Sequence, residues 1–460
     1  MVTNSNADLV LLGAGHSHLQ LLAELIKIGK CFQARNNRGR HQTGNQETKA
    51  DSKIEKILSS RPLIQVLLID RAATVWYSGF FSGFLYGEIS QNQMEVSLPE
   101  LTATLNLYIE FLGIELTFLQ AEALSWNLEE RTVVLSQGES ITPGALSINL
   151  GAPPKSLVLK NQKSLVFKNH EKPSPQVDAK PLAKLIHTLE HLSPCEILVV
   201  GGGASGIELV LGIQAYVNRI YPDPGWSFVL VYSKDLLKGW PRKAQTRIRS
   251  ILSQRGIGLV DQWTNHPGGP QVNESIDHSM DSHVDQRTDQ KKDDQVNSQP
   301  NTLPGLVVNA TGFFQPSPLQ VDSNLRVVHC SRVYGSGDGI SVGGLPPVYG
   351  GVYPVRQGPV LLRSLLEDRV LTIPGINPSN ANETSEVKFP WVTSSKCSSG
   401  HLSGSQTATK TVQNPSVLQI INLGTKPYGI GRWKGITMTG WLVKKLKYAI
   451  DQKFMDQFSR

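Results

Sequence analysis

Cysteine is scarce: the 460-residue chain has four, Cys31, Cys195, Cys330 and Cys397. No two are close enough in sequence for a CxxC or CxxxxC pair, which excludes a zinc ribbon and a redox dithiol formed by neighbouring residues. Long apolar runs are missing as well. Nowhere do about 18 apolar residues follow one another, so no membrane-spanning helix is expected. The first residues, Met1 to Asp8, are short and polar, without the apolar stretch of a secretory signal or the arginine-rich pattern of a transit peptide. An intracellular, cytoplasmic protein is expected. The net charge of +7 and pI near 9.1 come from basic residues that are mostly scattered, so no nucleic-acid partner is expected. His278 and His283 lack fixed spacing and cysteine partners, and no metal site is expected.

What remains is ordinary for an α/β protein: 39% hydrophobic, 18% charged, and 41 glycines. Three stretches stand apart by polarity, Gly29 to Arg61, Thr264 to Asn301 and Asn377 to Pro415. Each buries too little apolar surface to offset the entropy of ordering, and mobile insertions are expected. Outside them, short β-branched runs alternate with helical periodicity, the pattern of parallel α/β folds. Asp8–Leu12, Ile64–Ile69, Ile197–Val200, Phe228–Tyr232 and Leu306–Val308 read as strands.

One motif occurs twice. Leu11-Leu12 leads into Gly13-Ala14-Gly15-His16-Ser17-His18, with a helix expected over His18 to Ile28. Gly13 permits a tight turn and Gly15 a close backbone approach, while the helix N-terminus offers free N–H groups to a pyrophosphate. His18 stands where the third glycine belongs. Asp70, at the end of the next strand, is placed to hold ribose hydroxyls, with Arg71 beside it. The second cradle is complete: Ile197–Val200 followed by Gly201-Gly202-Gly203-Ala204-Ser205-Gly206-Ile207-Glu208. The strand after it ends on Ser233 and Lys234 instead of a carboxylate, with Arg242 and Lys243 downstream. That pattern suits a 2′-phosphate and favours NADPH over NADH.

With these pieces in place, the chain resembles the FAD-dependent pyridine nucleotide-disulfide oxidoreductase superfamily, in its type II NAD(P)H dehydrogenase branch. Within that branch it is most similar to the flavoproteins associated with selenophosphate synthetase. The residues carrying the resemblance are 13–18, Tyr77-Ser78-Gly79 with Gly83 and Gly87, Leu150-Gly151-Ala152, Lys180-Pro181, and 201–208. Asn309-Ala310-Thr311-Gly312, Gly335-Ser336-Gly337-Asp338, Tyr353-Pro354-Val355-Arg356-Gln357-Gly358, and Ile450-Asp451 with Phe454-Met455 complete them. The resemblance implies two Rossmann-like domains, the NAD(P) domain inserted in the FAD domain, and a C-terminal helical tail. The expected division is 7–155 and 303–370 for FAD, 182–302 for NAD(P), 377–415 as low complexity, and 416–460 as the tail. It further implies that Gly151, Thr311, Gly312 and Gly337 line the cofactor sites and that Asp338 accepts a hydrogen bond from the flavin's ribitol. Val352 and Tyr353 would begin a helix aimed at the flavin, and Glu208 would orient the nicotinamide. Hydride transfer itself demands no side-chain acid or base.

The tail is basic and amphipathic. Leu442, Leu446, Ile450, Phe454 and Phe458 recur every four residues, and Lys444, Lys445 and Lys447 lie off that stripe. Such a helix packs on its own protein or a homodimer partner, or lies on a membrane surface. Trp433, Trp441 and Tyr428 read as core aromatics. The expected activity is transfer of hydride from NADPH or NADH to FAD and of electrons onward, with a quinone as acceptor. A flavoprotein reducing a selenium or sulfur compound, and a non-catalytic FAD-holding redox sensor, are the alternatives.

Overall fold

The computed structural model describes residues 7–42, 62–153, 155, 176–178, 182–222, 225–233, 235–261, 305–312, 317–345, 347, 349–374, 418–426 and 428–458. The polar stretches at 264–301 and 377–415 lie outside the described residues, as do 43–61 of the first stretch.

Two five-stranded parallel sheets organise the chain. In the first the order is Val333–Gly335, Ala145–Ile148, Leu9–Leu12, Ile64–Asp70, Ile114–Gln120. In the second it is Gln176–Asp178, Leu306–Asn309, Glu196–Val200, Ser227–Tyr232, Gly258–Asp261. All five expected strands are present. Leu9–Leu12 is buried on both faces, as a central parallel strand covered by helices must be. In each sheet the strand before a cradle has the next strand in sequence on one side and a much later strand on the other. That is the topological switch point, where the crevice above the strand ends takes ligands.

The second sheet reaches beyond residues 182–302. It takes in Gln176–Asp178 before them and Leu306–Asn309 after them, so the return to the first sheet comes only past Asn309. The first helix also differs from expectation: it spans His16–Gln42 and runs on into the polar stretch. Gly29, which reads as a breaker in sequence, is a contact point. A Cβ there would overlap the carbonyl of Tyr108 on the helix Leu98–Ile109. The helix Val352–Glu367 crosses this first helix, and Gly358 lets it sit against Gln20 and the Leu21 amide.

The tail forms an antiparallel meander, Gln419–Asn422, Gly429–Trp433 and Ile436–Thr439, followed by the helix Trp441–Met455. This helix is turned the opposite way from what the apolar stripe implies for a packed helix. Leu442, Leu446 and Ile450 face outward, 73%, 44% and 50% exposed, and only Phe454 of the stripe is buried. Lys444 and Asp451 are buried and Lys447 is mostly so, leaving Lys445 alone of the three lysines outside. Trp433 and Trp441 are exposed too, so neither is core. The reason is polar: the inner surface is lined by Glu88, the Gly79 carbonyl and the Gly424 carbonyl, which the lysines bind. No helix among the described residues is long and apolar enough to cross a membrane.

Candidate nucleotide and redox site

The second cradle divides its glycines by task. Gly201, at φ +142°, sits so close to the Ala310 carbonyl that no side chain fits. Gly206 faces the Gly201 carbonyl and allows the helix Ala204–Ile220 to close on the strand. Gly203 faces nothing within 4 Å. These are a tight turn, an open position and a helix–strand contact, in the order in which the glycines of the motif stand. Opposite the cradle, Thr311 donates through its amide and hydroxyl to the Asn309 side chain (3.2 and 2.8 Å). Gly312, at φ +96°, accepts from the Lys155 amide. Ser233 is exposed at the strand's end, and Lys234 lies outside the described residues. Among the described residues, Arg242 and Lys243 open the next helix.

The first cradle is built differently. Asp70 accepts from the Ala14 amide at 2.7 Å and the Ala72 amide at 2.9 Å, so it braces the turn. Arg71 points to the exposed side. His18 is folded beneath the loop with no exposure. Its Nδ1 lies 2.6 Å from the Gly13 carbonyl, which only accepts, so Nδ1 carries the proton and Nε2 accepts from the Ser147 hydroxyl at 2.8 Å. Desolvation pushes the imidazole pKa down to about 4, against a smaller opposing effect of the Gly13 carbonyl. His18 is therefore a neutral strut joining the cradle to the strand Ala145–Ile148, where a glycine would leave the two linked only through backbone.

Three segments far apart in sequence converge here. Gln357 accepts from the Ser17 hydroxyl (3.1 Å) and the Gly337 amide (2.6 Å), tying two helices to the turn that carries Asp338. Asp338 accepts in turn from the Gly350 amide at 3.3 Å, just before Val352 and Tyr353 begin their helix. Side chains at Gly13, Gly15 or Gly337 would all run into Asn149, and one at Gly339 into the Gly151 carbonyl. Two buried polar atoms at this junction, Asn149 Nδ2 and Ser336 Oγ, have no hydrogen-bond partner. Buried polar atoms are nearly always satisfied, so a pair left open beside a glycine cradle fits a polar ligand. Asn149 and Ser147 were not singled out in the sequence, and Gln357 was named there only as part of a motif piece, with no role. The only signal for Asn149 was its place one residue before Leu150-Gly151, and for Gln357 its place inside the Tyr353–Gly358 piece; Ser147 had none.

The tail closes over the same end. The rings of His16, Tyr77 and Phe454 form a triangle: Tyr77 stacks on Phe454 at 4.8 Å, and His16 lies 5.4 and 5.6 Å from the two. The Tyr77 hydroxyl donates to Asp451 at 2.8 Å, so two of the motif pieces from opposite ends of the chain meet. Asp451 pairs with Lys447 at 3.0 Å, and Lys447 also donates to the Gly79 carbonyl at 2.7 Å. Burial pulls the Lys447 pKa down, but Glu208 and Asp451 outweigh it and the net direction is up. Glu208 accepts from the Asn422 amide at 2.5 Å. Desolvation raises its pKa, opposed by Lys447 and the Asn422 amide and reinforced by Asp451. Among the described residues no group of histidine, cysteine and carboxylate side chains has the arrangement of a metal site.

No protein-family model matches the sequence, and no curated protein matches it. Solved structures do resemble it in shape. The sulfide:quinone oxidoreductase of the hyperthermophilic bacterium Aquifex aeolicus aligns over 99% of this chain and 91% of its own, with TM-score 0.54 and 11% identity. Reduced CoADR-RHD of Bacillus anthracis aligns over 78% of this chain and 57% of its own, with TM-score 0.50 and 12% identity. The parallel sheets, their cradles and the C-terminal helix have the fold of the two-Rossmann-domain flavoprotein reductases.

Proposed function

We propose that this chain is an FAD-dependent oxidoreductase that takes hydride from NAD(P)H and passes the electrons to a quinone. The observation that carries the reading is the division of labour in the second cradle, with Gly203 open and its two partner glycines sealed by backbone. The first cradle fits FAD: Asp70 for the ribose, the helix start at His16 and Ser17 for the pyrophosphate, Asp338 for the ribitol, and Asn149 and Ser336 for the remaining polar groups. A bound flavin would supply the two-electron redox chemistry. The protein's part is to orient the nucleotide at the second cradle, exclude water and manage protons. The three described cysteines lie elsewhere, Cys31 exposed midway along the helix His16–Gln42. Cys195 packs against Gly305 at the opposite end of the second sheet, and Cys330 borders a 330 Å³ surface pocket with Arg326 and Asp368. No described thiol is placed beside the cradles to relay electrons, which favours a quinone over a selenium or sulfur acceptor. Anaerobic mixing of the yellow protein with NADPH or NADH should bleach it, faster with NADPH, and a quinone should restore the colour. No bleaching by either nucleotide would leave the FAD-holding sensor as the reading.

The tail supports a membrane-borne acceptor. A helix that buries Lys444, Lys447 and Asp451 while exposing Leu442, Leu446 and Ile450 gives up about 1 kcal/mol or more per aliphatic side chain, unless its outer face meets something apolar. Lys445 lies over Trp441 at 3.8 Å and Lys434 over Trp433 at 5.0 Å, and Ile436 is exposed beside them. Aromatic rings backed by lysines suit the headgroup layer of an anionic bilayer. The triple change of Leu442, Leu446 and Ile450 to Ser should reduce binding to anionic phospholipid vesicles at least about tenfold with flavin content unchanged. Unaltered vesicle binding, or a concentration-dependent dimer lost in the same variant, would assign that face to something other than lipid.

A further inference from the structure

The second cradle borders a loop that its own domain does not hold alone. After the strand Ser227–Tyr232 the chain turns through Leu236–Trp240, and the Leu237 amide donates to the Gly202 carbonyl at 2.8 Å, setting the loop against the glycine turn. Leu237 has left-handed backbone, φ +54°, with its side chain buried. A leucine keeps that conformation only where its surroundings over-determine it. Three of the loop's carbonyls are taken by side chains. Gln245 donates to those of Leu237 (3.2 Å) and Trp240 (3.1 Å) from the helix Arg242–Gln254 of the same domain. The third, on Gly239, accepts from Arg432, which comes from the tail, 193 residues further along. Arg432 also lies over the Trp240 ring, 5.3 Å from its centroid. Arg432 is itself fixed, since its Nε donates to Gln419 on the neighbouring strand at 2.8 Å. Successive residues of a strand face opposite ways. Gly431 accordingly meets Val443 of the C-terminal helix, and Arg432 turns to the loop. Tyr353, in the first turn of the helix Val352–Glu367, is close enough to act on the Arg432 charge. One guanidinium therefore touches the loop beside the second cradle and neighbours the helix start at the first.

We propose that Arg432 is a positioning residue of the nucleotide half-reaction: supplied by the tail, it holds the loop Leu236–Trp240 so that a nicotinamide bound at the second cradle lies in register with the flavin site. The inference rests on the oxidoreductase reading above. Domains of one chain move against each other unless the interface between them is large and apolar. Hydride transfer tolerates little such movement, because misplacement by about 1 Å can cost about a hundredfold in rate. Elsewhere the two domains meet by packing: Gly212 of the helix Ala204–Ile220 lies on Leu85, and Arg219 donates to the Leu85 carbonyl at 3.2 Å. Those contacts hold the helix that follows the cradle. Arg432 holds the loop.

The test uses the full-length, flavin-loaded protein. Before any nucleotide is added, amide hydrogen exchange over 236–240 should be at least about tenfold faster in Arg432→Met than in wild type, with flavin content unchanged. In anaerobic stopped-flow, Arg432→Met should lower the limiting rate of NAD(P)H-driven bleaching at least about tenfold and leave quinone-driven recovery within about twofold. The long-wavelength absorbance that marks a nicotinamide stacked on flavin should weaken with the rate. Arg432→Lys, whose ammonium reaches the same carbonyl, should recover most of both. Arg255→Met is the control. Arg255 ties the other end of the helix Arg242–Gln254 to the tail, through the Leu423 carbonyl at 2.9 Å and the Thr425 hydroxyl. Its loss should leave bleaching within about twofold. Unchanged exchange over 236–240 overturns the proposal, as does wild-type bleaching in Arg432→Met. Equal slowing in Arg255→Met also overturns it and assigns the effect to a loosened tail. If wild type is not bleached by either nucleotide, the oxidoreductase reading fails and takes this role of Arg432 with it, while hydrogen exchange still decides whether Arg432 holds the loop.

Discussion

Gly203→Ala should fold as the parent does and bind NAD(P)H at least about tenfold more weakly, a loss of about 1.4 kcal/mol or more. Gly206→Ala should instead destabilise the protein. The two positions lie three residues apart in one motif, and helix propensity predicts the wrong order, since alanine is favoured over glycine inside a helix by about 1 kcal/mol. Geometry decides otherwise. Gly206 is helical, and its missing Cβ would overlap the carbonyl oxygen of Gly201. That oxygen belongs to a turn already held at φ +142° against Ala310, so it has no room to retreat. Overpacking of this kind costs about 1–3 kcal/mol, and a backbone atom in place of a flexible side chain puts it at the upper end. Gly203 has extended backbone (φ −80°, ψ −179°), open to any residue, with nothing within 4 Å of its absent side chain. A methyl group there strains nothing and meets only what the cradle holds. Thermal unfolding and NAD(P)H titration of the two variants separate the effects. Parental affinity in Gly203→Ala would mean that no nucleotide pyrophosphate approaches the loop there.

How far the chain could be read in advance depended on whether a feature was local. Strand, glycine turn and helix start are set by neighbours within about ten residues, and both cradles emerged where the motifs stand. The contacts that tie the first cradle to the turn carrying Asp338 were not legible, because they are defined by partners 100 to 400 positions away. Asn149 reads as the residue before a glycine, and only the fold sets its side chain between Gly15 and Gly337. Gln357 and Ser17 are 340 residues apart. Periodicity misled at the tail for a related reason. It reported correctly that Leu442, Leu446 and Ile450 share one face, but which face turns inward was settled by distant partners: Glu88 and the Gly79 and Gly424 carbonyls take the lysines, and Tyr77 takes Phe454. Gly29 misled in the same sense, since a contact with Tyr108 lies behind what looks like the end of a helix.

His18 makes the other large prediction, because the residue that departs from the motif has become structural. In the folded protein its imidazole resists protonation down to about pH 4, whereas an unfolded chain takes the proton near 6.5. The folded-state value is lowered, so the unfolded state binds more protons between these limits and stability falls with pH. The stabilisation is complete above pH 6.5 and is lost as pH drops toward 4. At 1.36 kcal/mol per unit, that window removes about 3 kcal/mol, a substantial fraction of a typical folding free energy. The loss should fall on the first cradle, since a charged ring would sit among Gly13, Ser147 and the strand beneath them with no carboxylate in hydrogen-bond contact. Flavin should therefore leave as stability declines. In His18→Gln the amide can still donate to the Gly13 carbonyl and accept from Ser147, but it does not titrate. The variant should be somewhat less stable at pH 7 and should lose about 3 kcal/mol less than wild type between pH 6.5 and 4. Urea unfolding across that range, followed by flavin fluorescence, measures the difference directly, with acid effects from other groups common to both proteins. Parallel loss in the two would show that the acid sensitivity arises elsewhere and that the strut under the cradle tolerates a charge.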